Sequence, residues 1–527
     1  MRTRVHHLLE EAAERHPQRP ALTAGRTTRT YDEVWQEVRA VAGGLVDLGV
    51  RPGDRVAVFL DKRIETVVAL LAASAAGATF VPVNPVLKPR QVSHVVNDSG
   101  AVALLTTARR WASLEGSMDG GDLRHVIVVD DRGDAAQSVV TTHAYADLAG
   151  TAAVTVPTPR PPDGDRAAIL YTSGSTGSPK GVVLSHRNLL VGAESVSSYL
   201  GNTADDVILS ALPLSFDAGL SQVTTAMAVG AHVVLANYLA ARDLVTLCAR
   251  HQVTGLTCVP PLWIQLMDAT WPEDATRSLR YFANTGGKMP AATLKQLRDT
   301  FPGAAPYLMY GLTEAFRSTY LDPAEVDRRG DSIGKAIPDA EILVLRPDGT
   351  TCAPGEEGEL VHRGPLVALG YWNDPERTAQ RFRPLAGVAD WQAPELAVWS
   401  GDTVVADEEG FLYFVGRTDE MIKTSGYRVS PTEIEEAAYQ TGMVRDAVAL
   451  GVPEEGLGHR VVLAVAGADL DPAELLQALR RDLPLFMVPA EVVVREELPR
   501  SPNGKFDRVA LALEVERATA DRAGVAS

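Results

Sequence analysis

The sequence predicts an α/β fold in two parts: a large N-terminal domain of stacked α/β sheets with a small β-rich subdomain, and a small C-terminal α+β domain. Three observations predict it. Short apolar runs rich in Val, Ile and Leu alternate with stretches of helical periodicity along most of the chain. Turn signals such as Pro347-Asp-Gly349 and Glu408-Glu-Gly410 then crowd residues 333–415, a region expected to be mostly β. The 527 residues also exceed what one core supports. The expected division is 1–417 and 418–527.

The elements follow in order. Leu9, Ala12 and Ala13 sit at helical spacing near the N-terminus, where polar residues interrupt any signal-peptide-like apolar centre. Residues 31–48 read as a helix with Val34, Val38, Val41 and Leu45 on one face. Val56-Ala-Val-Phe-Leu60 is a short strand after the turn Pro52-Gly-Asp54. The apolar run 66–83 is long enough to suggest a membrane span, but Gly77 and Pro82 divide it into a buried helix and a core strand. Strands are expected near Ala103 and Val126, and the proline-rich residues 153–165 form a connector. Beyond it come a helix near Asn188, capped by Ser185, and strands at Val207, His232 and Tyr281, while Leu308-Met-Tyr310 runs into Gly311-Leu-Thr-Glu314. In the C-terminal part, Pro431-Thr-Glu433 opens a helix with proline and acid in its first turn. Strands follow at 444–452 and 461–466, then a helix at 472–479. The Asn503-Gly504 turn should hold Lys505 out on a tip. The polar residues from about Glu514 onward are expected to fray.

Composition excludes some functions. The net charge of -17 and pI of about 5.2 argue against a nucleic-acid binder, which needs a basic face. Cys248, Cys258 and Cys352 show neither metal spacing nor a disulfide framework, so a reducing cytoplasm is expected. No membrane partner is expected either.

The strongest local signal is Tyr171–Val182, YTSGSTGSPKGV. Its glycines allow tight turns and bring backbone N–H groups close to an anion. Thr172, Ser173, Ser175 and Thr176 add hydroxyl donors, Gly174 adds freedom, and Lys180 adds a point charge. That composition suits phosphate, although the Gly-Lys-Ser/Thr of a Walker loop is absent. The apolar runs on both sides anchor the loop in a core and count against a free linker.

Further motifs follow in fixed order: YGLTE at Tyr310, SGD at Ser400, GRTDEMIK at Gly416 and PNGK at Pro502. Together with the loop, over residues 31–508, the chain resembles the adenylate-forming superfamily of acyl-CoA synthetases, luciferases and nonribosomal peptide adenylation domains. Each motif alone is weak; five in order are strong.

The resemblance implies a two-step ligase. A carboxylate attacks the α-phosphate of ATP to give an acyl-adenylate and pyrophosphate, and a thiol then displaces AMP. It implies that Thr172 to Lys180 hold phosphates, that Glu314 holds Mg²⁺, and that Thr313 bonds a phosphate oxygen. Tyr310 with Gly286, Gly287 and Gly311 would take adenine. Asp402 would accept from the ribose hydroxyls, with Phe414 and Arg417 beside it. Lys505 would stabilise charge at the junction of carboxylate and α-phosphate. Asp419 resembles the hinge about which Lys505 withdraws and residues 421–427 approach, Gly426 leaving room for a pantetheine arm.

The same resemblance bears on the acid. Asp217 matches the aspartate that binds the substrate ammonium in amino-acid-activating relatives, where a fatty chain would leave a buried charge unpaired. The acid pocket would add Ala218, Ser221, Cys258, Ala283, Thr285, Met309, Arg317 and Ser318. Arg317 suggests a second substrate carboxylate held by a bidentate pair, as in stand-alone enzymes for β-amino acids of the aspartate type; pairing with an acid on its own chain stays open. An amino acid, acidic or β, is the expected substrate. No carrier domain follows residue 527, so the expected thiol is the phosphopantetheine arm of a stand-alone carrier protein, met through Arg445, Arg460, Arg480 and Arg481. Free CoA remains the alternative, and a nucleotide-binding regulator without thioester activity is the reading from another class.

Overall fold

The computed structural model describes residues 2–118, 121–130, 140–151, 162–172, 179–385, 395–417, 421–454, 456, 458–467, 470–499 and 506–525. Two large sheets dominate. One has nine strands, in the order Lys335–Ala336, Thr319–Leu321, Ala305–Tyr310, Tyr281–Asn284, Gly255–Cys258, Val207–Ser210, His232–Leu235, Pro20–Ala24 and Thr27–Thr30. Its six strands from Ala305–Tyr310 to Pro20–Ala24 pair in parallel. The other has eight strands, in the order Gly370–Tyr371, Lys180–Ser185, Arg166–Thr172, Thr79–Pro82, Arg55–Val58, Ala101–Thr106, His125–Val128 and Thr141–Ala144.

Parallel strands need crossovers, and helices supply them. Helix Tyr31–Asp47 begins with a capping box, Thr30 accepting from the Glu33 backbone and Glu33 answering at Thr30. Helix Ile64–Ala75 is buried on nearly every face, and strand Thr79–Pro82 follows it, so the long apolar run is core. One continuous core joins both large sheets through Leu22, Val56, Phe80, Leu189 and Val233. Ser185 does cap a helix, but that helix starts at His186, because Asn188 is its capping-box partner at N3 and not its first residue.

Residues 333–415 are β-rich as expected. Strands Glu341–Leu345, Glu357–Arg363, Leu396–Ala406, Phe382–Pro384 and Leu412–Arg417 form an antiparallel sheet, and Gly410 closes the last hairpin on Asp407. A fourth sheet belongs to the C-terminal part: Tyr427–Val429, Ile422–Thr424, Gly458–Ala466, Asp446–Glu454 and Glu491–Arg495. Helices Pro431–Gln440 and Pro472–Asp482 cover one face of it.

The tail corrects the sequence reading. Arg508–Val525 is helical. Leu511 and Val515, one turn apart, bury themselves against Val448, Leu450 and Val462 on the sheet's other face. Two apolar anchors outweigh a polar composition that by itself reads as unstructured. Among the described residues, no helix is long and apolar enough to cross a membrane.

Candidate active site

A cavity of about 960 Å³ opens where the parallel strands of both large sheets end. Residues 211–213 follow strand Val207–Ser210 into it, Val259 follows Gly255–Cys258 with Pro261 and Leu262 on the helix that begins there, and 285–286 follow Tyr281–Asn284. Residues 310–314 leave strand Ala305–Tyr310, and Thr172 ends Arg166–Thr172. Carboxyl ends of parallel strands are where an open α/β sheet leaves a crevice. The C-terminal part closes one side with Lys423, Ser425, Gly426, Tyr427 and Arg428. Tyr427 meets Phe216 edge-on at 5.1 Å and stacks on Phe486. Gly426 has φ +79° and faces the Val259 side chain, so a Cβ there would sit 3.0 Å from its carbons.

Glu314 anchors the cavity's charge. It is 2% exposed. Lys180 Nζ lies 3.2 Å from Glu314 Oε1 and donates to the Tyr371 hydroxyl at 2.7 Å, while that hydroxyl donates to Glu314 Oε1 at 2.7 Å. Burial works to raise the Glu314 carboxyl, yet Lys180, Arg428, Arg381 and the Tyr371 hydrogen bond hold it well below the usual carboxylate range. Burial lowers the Lys180 ammonium, and Glu314 opposes that. Thr172 Oγ1 is buried and has no hydrogen-bond partner among the described residues.

The backbone turns sharply after Glu314. Phe316 takes φ +58° and ψ -58°, and Arg317 N–H donates back to Ala315 C=O at 2.6 Å. This is a γ-turn of the rare hand, with strain on the order of 1–3 kcal/mol. The fully buried Phe316 ring holds it, pressed against Gly192 of helix His186–Tyr199, where a Cβ would lie 2.4 Å from the ring. Gly192→Ala should cost about 1–3 kcal/mol by overpacking and slow turnover as the turn shifts. Urea unfolding alongside steady-state kinetics tests this; unchanged values in both would show that the ring is free to move.

The turn delivers Arg317 to Asp217. Arg317 is 2% exposed; its Nη1 donates to Thr285 Oγ1 at 3.0 Å and lies 3.6 Å from Asp217 Oδ2. Its Nε has no hydrogen-bond partner among the described residues. Asp217 opens helix Asp217–Val229 and receives a long hydrogen bond from Thr313 at 3.4 Å. Burial raises its carboxyl, and Arg317 pulls the other way. The partner on its own chain that the sequence left open for Arg317 is thus Asp217.

Tyr310 and Asp402 meet, the phenol donating to Asp402 Oδ2 at 2.5 Å. Asp217, Ala218, Thr285, Gly286, Tyr310, Gly311, Thr313, Glu314, Arg317 and Asp402 line the cavity. Ser221, Cys258, Ala283, Met309 and Ser318 are buried but do not line it; Ser318, for instance, bonds His362. Gly287 and Phe414 are not in its wall, and Phe414 is 37% exposed. Ser173, Gly174, Ser175, Thr176, Asp419 and Lys505 lie outside the described residues, as does the Arg417 side chain.

Two residues escaped the sequence reading. Tyr371 bridges Lys180 and Glu314, brought there because Gly370–Tyr371 pairs with Lys180–Ser185 at the sheet edge. Its only local signal was an aromatic pair before a polar turn. Lys62 lines the cavity with its ammonium donated to the carbonyls of Ser210, Ala211 and Leu212, and burial brings it down to about 7. No sequence signal separates it from a surface lysine. Among the described residues, no cluster of three or more His, Cys, Asp or Glu could hold a metal alone.

Residues 9–372 match the family model described as AMP-binding enzyme, and residues 433–505 that of the AMP-binding enzyme C-terminal domain. The chain is 31% identical over 536 residues to a long-chain-fatty-acid–CoA ligase of Salmonella typhimurium, covering 95% of this chain and 92% of that one. It is 33% identical over 521 residues to an L-proline–[L-prolyl-carrier protein] ligase of Streptomyces coelicolor, covering 96% of each. Among solved structures, an o-succinylbenzoate CoA synthetase double mutant from Bacillus subtilis superposes with a TM-score of 0.81 at 27% identity, over 96% of this chain and 97% of that one.

Proposed function

Because the chain belongs to the AMP-binding enzyme family and is an AMP-forming ligase, we propose that the acid it activates is an amino acid and the thiol acceptor a carrier-protein phosphopantetheine. The observation that carries the substrate half is the Asp217–Arg317 pair. At 3.6 Å it is too long for a hydrogen bond, and it faces a cavity. A substrate with both an ammonium and a second carboxylate would give each of these buried groups a closer, oppositely charged partner than the other supplies at 3.6 Å, and an acidic or β-amino acid has both. A plain fatty acid offers neither.

The roles assigned are these. ATP is the co-substrate, and the site fits it: the Thr172 hydroxyl, without a partner among the described residues, and Lys180 supply donors for phosphate, and Tyr310 and Asp402 stand ready for adenine and ribose. Glu314, with Thr313 beside it, would hold Mg²⁺, a single carboxylate sufficing where phosphates complete the shell. The ion would neutralise phosphate charge during displacement. Lys505 would steady the charge that builds between carboxylate and α-phosphate. The chain is divided at 417/418 with Asp419 as hinge, and the arrangement found, with Lys423 and Ser425 to Arg428 on the cavity, is assigned to acyl transfer. Three free cysteines fit a reducing cytoplasm.

For the acceptor, Arg480 and Arg481 are exposed at the end of helix Pro472–Asp482, beside the 83% exposed Leu485. A basic rim with an apolar knob suits an acidic carrier. Arg460 pairs with Glu491 at 2.8 Å and Arg445 with Asp446, so those two are less available.

ATP–pyrophosphate exchange over a panel of amino and simple carboxylic acids tests the reading. Exchange confined to fatty acids, with free CoA as acceptor, would overturn it. Arg317→Ala should lower kcat/KM for acidic amino acids about 100-fold while sparing neutral ones. Unchanged preference would remove Arg317 from recognition.

A further inference from the structure

Two helices clamp the C-terminal part to the larger body at the edge of the cavity. Gln91 Nε2, on helix Pro89–Ser99, donates to Glu433 Oε1, on helix Pro431–Gln440, at 3.0 Å. Arg90 donates to Gln440 across the same pair of helices. Met487 Sδ lies 3.8 Å from Gln91 Nε2. Gln91 is buried, and Glu433 Oε2 is buried with no hydrogen-bond partner among the described residues. A half-satisfied buried carboxylate is a poor adhesive, since its lost hydration is not returned. A carboxamide would bond Gln91 equally without burying charge. The acid at this position therefore calls for a reason other than adhesion.

We propose that Gln91 and Glu433 are positioning residues that latch the C-terminal part in the acyl-transfer arrangement, and that ionisation of Glu433 releases the latch. This rests on the two-step reading above. In that reading the same cavity edge must open for Lys505 to serve the first step, so a contact that holds one arrangement governs the balance between steps.

Burial pushes the Glu433 carboxyl up to about 7; Gln91 and Arg90 oppose the rise and Glu436 adds to it. Arg90 on helix Pro89–Ser99 and Glu436 on Glu433's own helix are the charged groups acting on it, and Met487 brings none. The sign follows. The shift is upward, so the docked arrangement takes up a proton. Below the ordinary glutamate range of about 4.5 the carboxyl is neutral in both arrangements and docking carries no penalty. As pH rises from there through about 7 the penalty grows, and docking weakens.

The full chain tests this by two readouts. The first compares half-reactions in wild type and Glu433→Gln: exchange for adenylation, and single-turnover transfer from a preformed aminoacyl-adenylate to phosphopantetheine. The ratio of variant to wild-type transfer should rise about tenfold between about pH 6 and pH 8, while the exchange ratio stays flat. Comparison as a ratio cancels ionisation of the thiol itself. Gln91→Ala should slow transfer about tenfold and leave adenylation within about twofold. The second readout needs no turnover. Fluorescence energy transfer between labels on the two parts should report a docked fraction that falls with pH in wild type and not in Glu433→Gln. A flat transfer ratio, equal slowing of both half-reactions, or a docked fraction indifferent to pH overturns the latch. Absence of adenylation with every acid, alongside pH-dependent docking, would instead sink the two-step reading and leave the latch standing.

Discussion

Glu314→Gln should reduce exchange activity by about 10²–10³-fold and destabilise the unliganded protein by about 3–5 kcal/mol. The two losses have different origins. Activity falls because an amide holds a divalent cation poorly. Stability falls because Lys180, with side-chain exposure of 14%, loses the anion that its burial demands. Removing the charge on both sides separates them: Lys180→Met with Glu314→Gln should recover most of the stability and none of the activity. The pH dependence has a definite sign. Glu314 is held below its ordinary value, so its contribution is present above about pH 4.5 and is lost as pH falls toward its depressed native value. The stability gap between wild type and Glu314→Gln should accordingly narrow in acid, by urea unfolding at successive pH values. A variant as stable as wild type at neutral pH would mean the pair contributes nothing.

Lys505→Ala should remove about 10²–10³-fold from adenylation while transfer from a supplied aminoacyl-adenylate stays within about threefold. The split is expected because Lys423 and Ser425 to Arg428 line the cavity in the present arrangement, and Lys505 is proposed to act in the other one. An equal drop in both half-reactions would place Lys505 in folding or in a shared step, and the alternation of two arrangements would lose its main support.

Much of this was legible in the sequence because it was written locally. Helical spacing of apolar residues, short apolar runs and the glycine and proline breaks marked helix Tyr31–Asp47, helix Ile64–Ala75 and the strands around them within a residue or two. Motif order brought together Tyr310, Glu314 and Asp402, which do share one cavity. What stayed hidden is what only pairing between distant segments creates. Tyr371 reaches Glu314 through an edge-strand pairing across nearly two hundred residues. Lys62 finds its three carbonyls about 150 residues away. The terminal helix was missed because its anchors, Leu511 and Val515, gain their meaning only from the sheet beneath them. Arg317 belongs by resemblance to the acid pocket, with its partner open between a substrate carboxylate and an acid of its own chain; that it lies beside Asp217 depends on the turn at Phe316, which no local pattern announces.

That turn couples two properties usually varied separately. Glu314, assigned to turnover, and Arg317, assigned to choice of acid, flank a single stiff corner at Phe316. Any replacement at 317 that drags its backbone will tilt Glu314 as well. Laboratory or natural drift toward new acids should therefore travel more freely through Ala218, Leu262 and Thr285, which reach the cavity from other elements. Variants at 317 that shift the corner at Phe316 should change acid scope and lose speed together, whereas truncation of the side chain alone should change scope only.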